Sequence, residues 1–357
     1  MRHSAKAVLV LVAAMVAASI GSIAPAYAAT IIVHPGESIQ AAIDKAHAGD
    51  TIIVEPGVYH EILEITTNDI TLKGSGASER GTELAPPVGP ATNDCSNDPA
   101  ETIGICIAGF GGPPVSDVTV QGFYIVGFSL FGGLAFNTQE AVFQHNAAVN
   151  DGEYGFFNNS STQGKYLFNS ASGATEAGFY IGDTDDADFT MVGNYSAKNT
   201  LGVFVRNAVH GDISSNHFEK NCVGMVLLAG APGPVTDWEV TQNQSNENNK
   251  FCPAGGDQPS LSGTGLGMVG ASHNIIRGNT IWGNHPSGKT PFAGGLVLAK
   301  SDGFKANHNT VDGNVLYDNV PFDIRLKKGV GGNNTFTNNA CNTSKPDGLC
   351  AFAPVIH

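Results

Sequence analysis

The sequence predicts an all-β solenoid, a parallel β-helix with a short N-terminal capping helix, because two signals repeat along it in phase. The first is a glycine that opens a short alternating apolar run and recurs at spacings of 22, 23, 24 and 22 residues. These glycines are Gly133, Gly155, Gly178, Gly202 and Gly224, followed at wider spacing by Gly267 and Gly295 and then by Asp323 in place of the glycine. The second signal is a pair of asparagines five residues apart, as in Asn194/Asn199, Asn216/Asn221, Asn243/Asn248, Asn279/Asn284 and Asn314/Asn319.

The residues between the repeats distinguish this fold from the other solenoid of the same period. A repeat in the low twenties fits leucine-rich repeats as well as a parallel β-helix. Leucine-rich repeats would show LxxLxL runs, whereas segments such as FTMVGN and GVFVRN are β-branched, aromatic and alternating. Asparagine and glycine suit the turns between short strands because both tolerate a left-handed backbone.

The first 28 residues read as a secretory signal peptide. A basic start at Arg2 and Lys6 precedes an apolar run over residues 7–23, and Ala26-Tyr27-Ala28 offers a small-residue cleavage site. No second apolar stretch follows, so we expect a secreted protein without a membrane span, comprising residues 29–357.

The segment ahead of the repeats is predicted to cover the open end of the solenoid. Ser38 is placed to cap a short amphipathic helix that begins at Ile39, within a cap of residues 29–50. Residues 77–114 and 246–263 are rich in proline, glycine and polar residues, which predicts two long loop excursions from a single domain.

Charge and cysteine usage restrict the partners and the compartment. The chain has 32 acidic and 18 basic residues, which disfavours nucleic acid as a ligand. Six cysteines in an exported chain predict disulfides, and closeness along the chain favours Cys95–Cys106, Cys222–Cys252 and Cys341–Cys350. A metal site is the alternative use, but no CxxC spacing supports it.

The opening IIVHPGESIQAAIDKAHAGDTIIVEPGVYHE, followed by ITLKGSG and the NxxxxN repeats, resembles the right-handed parallel β-helix proteins of the pectin-lyase-like superfamily. The resemblance covers nearly the whole chain after residue 28. It implies a right-handed coil and a carbohydrate ligand, since the superfamily includes polysaccharide lyases, epimerases, esterases and hydrolases. Fold alone does not choose among these reactions.

Alternation along the strands places three aromatic residues on the outer face of neighbouring coils. Phe157, Tyr180 and Phe204 each lie two residues after a marker glycine, on the face opposite the core. Coils stack about 4.8 Å apart, so the three rings would span roughly 10 Å, near the length of two sugar rings. We expect a sugar-stacking strip; the alternative is a column covered by the long loops.

Arg206 is the basic residue best placed against this strip, and it is the candidate catalytic residue. In β-helical lyases that the fold resembles, an arginine or lysine on a strand removes the proton beside a uronate carboxylate. The alternative is an arginine that pairs with an acid on a neighbouring coil.

A run of carboxylates follows the Tyr180 strand. Asp183, Asp185, Asp186 and Asp188 fall within six residues of a turn, which suits a hard cation such as calcium, a possible cofactor. The order of the residues does not match an EF-hand loop, and a solvated acidic turn is the alternative.

These features favour a monomeric enzyme of extracellular polysaccharide, with β-elimination of a polyuronate as the preferred reaction. The dipeptide Tyr154-Gly155 is similar to the start of the alginate-epimerase signature, but Asp-Pro-His does not follow, which disfavours that reaction. The competing hypothesis is a non-catalytic β-helix that binds carbohydrate, acts at the cell surface or serves as a periplasmic maturation factor.

Overall fold

The computed structural model describes residues 28–231, 233–256 and 258–355. The chain coils into a right-handed parallel β-helix in which each full coil adds one strand to each of three sheets. The fold prediction is therefore confirmed. The predicted signal peptide lies outside the described residues, apart from Ala28.

Every pairing between consecutive coils within the three sheets is parallel. Sheet A contains β1 (Thr30–Val33), β2 (Thr51–Val54), β5 (Thr71–Lys73), β9 (Thr119–Gln121), β13 (Val142–Gln144), β16 (Lys165–Leu167), β19 (Phe189–Val192), the second half of β21 (Leu201–Ser214), β24 (Thr236–Thr241), β27 (Ile275–Arg277), β30 (Thr310–Asp312) and β33 (Thr335–Thr337). Sheet B contains β3 (Gly57–His60), β6 (Thr82–Ala85), β10 (Phe123–Val126), β14 (Ala147–Val149), β17 (Ser170–Ser172), β20 (Tyr195–Ala197), β22 (His217–Glu219), β25 (Gln244–Asn246), β28 (Thr280–Trp282) and β31 (Val315–Tyr317).

Sheet C contains β4 (Leu63–Ile65), β7 (Ile103–Ala108), β11 (Phe131–Phe136), β15 (Tyr154–Asn159), β18 (Ala177–Thr184), the first half of β21, β23 (Val223–Leu228), β26 (Thr264–Val269), β29 (Gly294–Ala299), β32 (Ile324–Leu326) and β34 (Ser344–Lys345). A separate short pair is formed by β8 (Val115–Ser116) and β12 (Thr138–Gln139).

The helix α1 spans Ile39–Ile43, and the side chain of Ser38 accepts a hydrogen bond from the amide of Ala41, as the cap prediction requires. No described helix has the length and apolarity needed to cross a bilayer.

The interior is a set of stacked apolar columns, one from each sheet. In sheet C, Phe156, Phe179 and Val203 occupy one column, and all three are fully buried. The residue after each of them points to the outer face, so the predicted in/out alternation agrees with the structure.

Asparagines form two long buried ladders that run along the solenoid at the corners between sheets, and a shorter third one is formed by Asn274, Asn309 and Asn334. In the first ladder, the amide and side chain of each asparagine donate to Oδ1 of the asparagine one coil further on, as between Asn194 and Asn216 at 2.8 and 2.9 Å. This ladder passes through Asn146, Asn169, Asn194, Asn216, Asn243, Asn279, Asn314 and Asn339. The second contains Asn199, Asn221, Asn248, Asn284 and Asn319.

The marker glycines lie against the second ladder, where no side chain fits. A Cβ on Gly202 would lie 3.0 Å from the Nδ2 atom of Asn221 and closer still to a backbone oxygen of the next coil. Two predicted markers were wrong: Gly133 pairs with Phe156, which makes Gly132 the marker in that coil, and Leu266 pairs with Met225, which makes Gly265 the marker instead of Gly267.

The first loop excursion is shorter than predicted. Residues 77–114 contain β6 and the fully buried β7, which complete coils, so the true excursion occupies residues 86–102. The excursion over residues 246–263 agrees closely, since β25 ends at Asn246 and β26 begins at Thr264. A third excursion, residues 283–293, lies between β28 and β29 and was missed.

All three predicted disulfides are present: Cys95–Cys106, Cys222–Cys252 and Cys341–Cys350. Disulfides of this kind are typical of proteins that fold in the periplasm or outside the cell.

Candidate functional groove

The outer face of sheet C carries the candidate site. One column of paired residues crosses this face, formed in order by Leu134, Phe157, Tyr180, Phe204, Val226, Gly267, Val297 and Arg325. The three aromatic residues predicted for substrate binding are thus neighbours in one register, on the face opposite the core.

The first part of this column is largely closed to solvent, and only Phe157 is partly exposed. Tyr180 is only 2% exposed, because it stacks on Phe157 at 4.4 Å and is flanked by the rings of Tyr154 and Phe204. Cys95, from the excursion over residues 86–102, packs with Phe157 in an adjoining cluster. An open strip was expected here; Tyr180 is instead covered, and Phe157, which stacks on it, is only partly exposed.

A groove opens where the column reaches Phe204. Its volume is about 570 Å³, and its floor consists of Phe204, Val226, Gly267 and Val297. Leu261 from the excursion over residues 246–263 and Phe292 from the excursion over residues 283–293 form its walls. The Cys222–Cys252 disulfide ties the first of these walls to the residue that follows Asn221 of the second asparagine ladder.

The two ends of the groove differ in charge. Glu176 and Leu201 line one end, and Arg206, Lys300 and Asp302 line the other. Leu201 and Arg206 are five residues apart on one strand, which corresponds to roughly 16 Å at about 3.3 Å per residue. A chain of about three sugar rings would fit along the strands, between the acidic and the basic end.

Arg206 is exposed at the mouth of the groove. Within the described part of the chain it makes no ion pair, which argues against an arginine that only neutralises an acid on a neighbouring coil. Its charge also acts on the neighbouring cluster, where it partly opposes the rise in the pKa of the Tyr180 phenol.

Asp183 has a local partner in that cluster. The Tyr180 hydroxyl donates to the Asp183 carboxylate at 2.6 Å, and the side chains of Asn159 and Asn207 donate to it as well. Burial, followed by this hydrogen bond, raises the pKa of Tyr180 well above its usual value. Asp183 therefore anchors the end of the covered cluster beside Arg206.

The other carboxylates of the acidic turn point to separate partners. Asp186 lies 2.9 Å from the His210 imidazole, whose pKa it raises, and Asp188 accepts a hydrogen bond from Gln163. Asp185 is exposed. Among the residues described, no three histidine, cysteine, aspartate or glutamate side chains converge on one point. Calcium binding by these four aspartates remains a prediction.

Glu176 and Lys300 were not singled out as site residues from the sequence. Glu176 stands two residues before a marker glycine and lies next to Tyr154, whose pKa is raised first by burial and then by the Glu176 charge. Lys300 follows β29 directly. The positions of Glu176 and Lys300 within the repeat can be found from the sequence. The walls that make a groove on sheet C cannot, because they come from loop segments without periodicity.

Comparisons with known proteins identify the fold. No family model matches the chain, and no curated protein matches its sequence. Among solved structures, the chain is similar to the Azotobacter vinelandii mannuronan C-5 epimerase AlgE4 A-module, with a TM-score of 0.54, 15% identity and coverage of 89% of this chain and 95% of that one. It is also similar to the periplasmic alginate epimerase AlgG, with a TM-score of 0.51, 14% identity and coverage of 88% and 76%.

A third similar structure is the DFA-IIIase from Arthrobacter chlorophenolicus without its lid, with a TM-score of 0.51, 12% identity and coverage of 86% and 89%. At these identities the similarity establishes the fold alone. Together with the three parallel sheets, it identifies the fold of the chain as a right-handed parallel β-helix.

Proposed function

We propose that the protein binds an extracellular polysaccharide that contains uronic acids, and cleaves it by β-elimination in the groove of sheet C. The observation that carries the proposal is the groove itself, which has an apolar floor and, at its mouth, an arginine that forms no ion pair with any described residue. An apolar floor with a few polar groups at defined points is typical of sites that bind extended ligands. The structural neighbours named above include enzymes of alginate, which agrees with a polysaccharide ligand.

In the proposed reaction, Arg206 first loses a proton to solvent when the bound chain displaces water from the groove, and its neutral guanidine then takes the proton on the carbon next to the uronate carboxylate. The electron pair of that C–H bond forms a carbon–carbon double bond as the glycosidic C–O bond on the adjacent carbon breaks. Lys300, at the same end of the groove, supplies the proton to the departing oxygen. The products are one chain with an unsaturated end and one with a new free hydroxyl.

The test is a screen of alginate, pectate and other polyuronates, with and without calcium, for the absorbance of unsaturated ends. We expect activity on one polymer class and loss of at least about a hundredfold in Arg206→Ala, the usual lower range for a general base. Arg277→Ala is the matched control, because Arg277 is paired with Asp312 on sheet A, away from the groove. Absence of product on every polymer from a folded protein would contradict the lyase proposal.

One observation favours a second function, binding without turnover. The charged groups lie at the two ends of the groove, Glu176 at one and Arg206 at the other, whereas catalytic groups must act on the same few atoms. Such a protein would bind an oligouronate with equal affinity before and after long incubation, and no unsaturated ends would form.

A further inference from the structure

The corner between sheets A and B carries a surface cleft that the groove does not use. Its volume is about 570 Å³, and it extends from Lys73 past Gln121 and His145 to Phe168 and Tyr195. These residues come from five successive coils, so the cleft runs along the solenoid for roughly 19 Å at about 4.8 Å per coil. Sheet C faces the other side of the core, so this cleft and the groove are separate surfaces.

Three rings stand exposed in this cleft on successive coils. Phe168 is 55% exposed and Tyr195 39% exposed, values unusual for large aromatic residues in this chain. His145 is also exposed and stacks on Phe168, with ring centroids 5.3 Å apart and planes at 9°. The three rings form an aromatic shelf.

The backbone conformation at Phe168 is unfavourable for a bulky side chain. The residue before each asparagine of the first ladder has a positive φ, as does Gly122 at the same corner of the preceding coil, and the series is Gly122, His145, Phe168, Gly193, Ser215, Gln242, Gly278, Gly313 and Asn338. Glycine takes this conformation freely, whereas a bulky side chain is strained in it. A phenylalanine at this corner, exposed on the surface, is therefore not explained by packing or by turn formation.

The described residues that line the cleft beside the shelf are polar or small, and none of them is acidic. Lys73 and His145 line the cleft together with the amide of Gln121, which accepts a hydrogen bond from Gln144 at 2.7 Å. No carboxylate lines it, in a chain with a formal net charge of −14. The Tyr195 hydroxyl donates to Glu219 at 2.7 Å at the far end, which fixes the direction of that ring.

We propose that this cleft is a second carbohydrate-binding site, which holds an acidic polysaccharide chain along the solenoid axis. The rings would contact the apolar faces of sugar rings, the glutamines would bind hydroxyls, and Lys73 would pair with a carboxylate. The ligand class rests on the proposed function, since a second segment of the same polymer is the natural occupant. Such a site would hold a long chain on the protein while the groove acts on another part of it.

The test variant is Phe168→Gly, which gives this corner the residue already present at Gly122, Gly193, Gly278 and Gly313. We expect it to melt at or above the temperature of the wild type, because the strain at a positive φ is removed. Ser215→Gly is the matched control, since it makes the same backbone change in the same series outside the cleft. Tyr195→Ser is a second variant, which copies Ser170 of the preceding coil.

Calorimetry with short oligogalacturonates and oligomannuronates gives the readout. We expect two sites per wild-type chain and two in Ser215→Gly, with one of them weakened about tenfold or more in Phe168→Gly and in Tyr195→Ser. Wild-type stoichiometry and affinity in both cleft variants would overturn the second site and leave the groove proposal intact. Failure of the wild type to bind any oligouronate would overturn both.

Discussion

At the residue scale, Phe179 and Tyr180 show how far alternation predicts burial. Alternation correctly places Phe179 in the core and Tyr180 on the outer face, yet both are almost fully buried. The sequence indicates which face a side chain occupies, but it does not indicate whether a distant loop or a neighbouring ring covers that face.

Truncating either ring should therefore be costly. We predict that Phe179→Ala and Tyr180→Ala each lower the free energy of unfolding by about 3–5 kcal/mol, as measured by chemical denaturation. Tyr195→Ala, which removes a partly exposed ring, should cost about 1 kcal/mol or less. A small cost for Tyr180→Ala would mean that the outer cluster is open in solution.

Asp151 gives a prediction about pH. It is buried at a corner of sheets B and C, where one carboxyl oxygen accepts from the amide of Phe128 and the other has no partner in the described part of the chain. Burial raises the pKa of this carboxyl well above its usual value. The unfolded chain therefore loses this proton at lower pH than the folded one, and stability falls as pH rises from about 4 towards the pKa of the folded state.

Asp151→Asn should abolish this pH-dependent loss. The amide has no charge to desolvate, so we expect the variant to be more stable than the wild type at pH 7 and closest to it near pH 4. Melting temperatures measured across this range give the comparison. A constant difference between the two proteins at all pH values would show that Asp151 does not titrate in this way.

At the scale of elements, the asparagine ladders could be predicted because the spacing of the turns repeats in the sequence. Each asparagine of the first ladder accepts from the preceding coil and donates to the next, so the ladder joins all the coils that it crosses. The marker glycines were harder to align. Gly132 and Gly133 are adjacent, and Gly265 and Gly267 are two apart, so periodicity alone does not say which of them meets the ladder.

Asn216→Ala tests the ladder. The substitution leaves the amide of Asn194 and the carbonyl of Met191 without their partners inside the protein. We predict a loss of about 3 kcal/mol or more in unfolding free energy, since several buried polar groups lose their hydrogen bonds together. Asn342→Ala, at an exposed position, should change stability by less than about 0.5 kcal/mol. Equal effects would argue against a structural role for the ladder.

At the scale of the whole molecule, the coil was predictable and the groove was not. The coil follows from residues that repeat, whereas the groove depends on residues 246–263 and 283–293, which have no repeat to place them. The Cys222–Cys252 disulfide joins a non-repeating segment to the repeating coil, because it fastens a wall of the groove to the solenoid.

Removing that disulfide should weaken ligand binding more than it disturbs the structure of the coil. We predict that Cys222→Ser with Cys252→Ser weakens oligouronate binding in the groove, because the wall that carries Leu261 becomes mobile. The double variant should also lose about 2–5 kcal/mol of stability. Cys341→Ser with Cys350→Ser, at the C-terminal end, should lower stability while leaving affinity unchanged. Unchanged affinity in the first variant would show that the wall does not hold the ligand.

Hydrogen–deuterium exchange with and without a bound oligouronate tests most directly whether the groove of sheet C is the polysaccharide site. The backbone N–H of Cys252 donates to the carbonyl oxygen of Leu261, and the N–H of Leu261 donates to the carbonyl oxygen of Cys252, so exchange at these two amides reports whether that wall is held in place. The account predicts slower exchange on binding in residues 246–263 and 283–293, and no slowing there in Arg206→Ala at the same ligand concentration. Binding of an oligouronate without slower exchange in these two segments would contradict it.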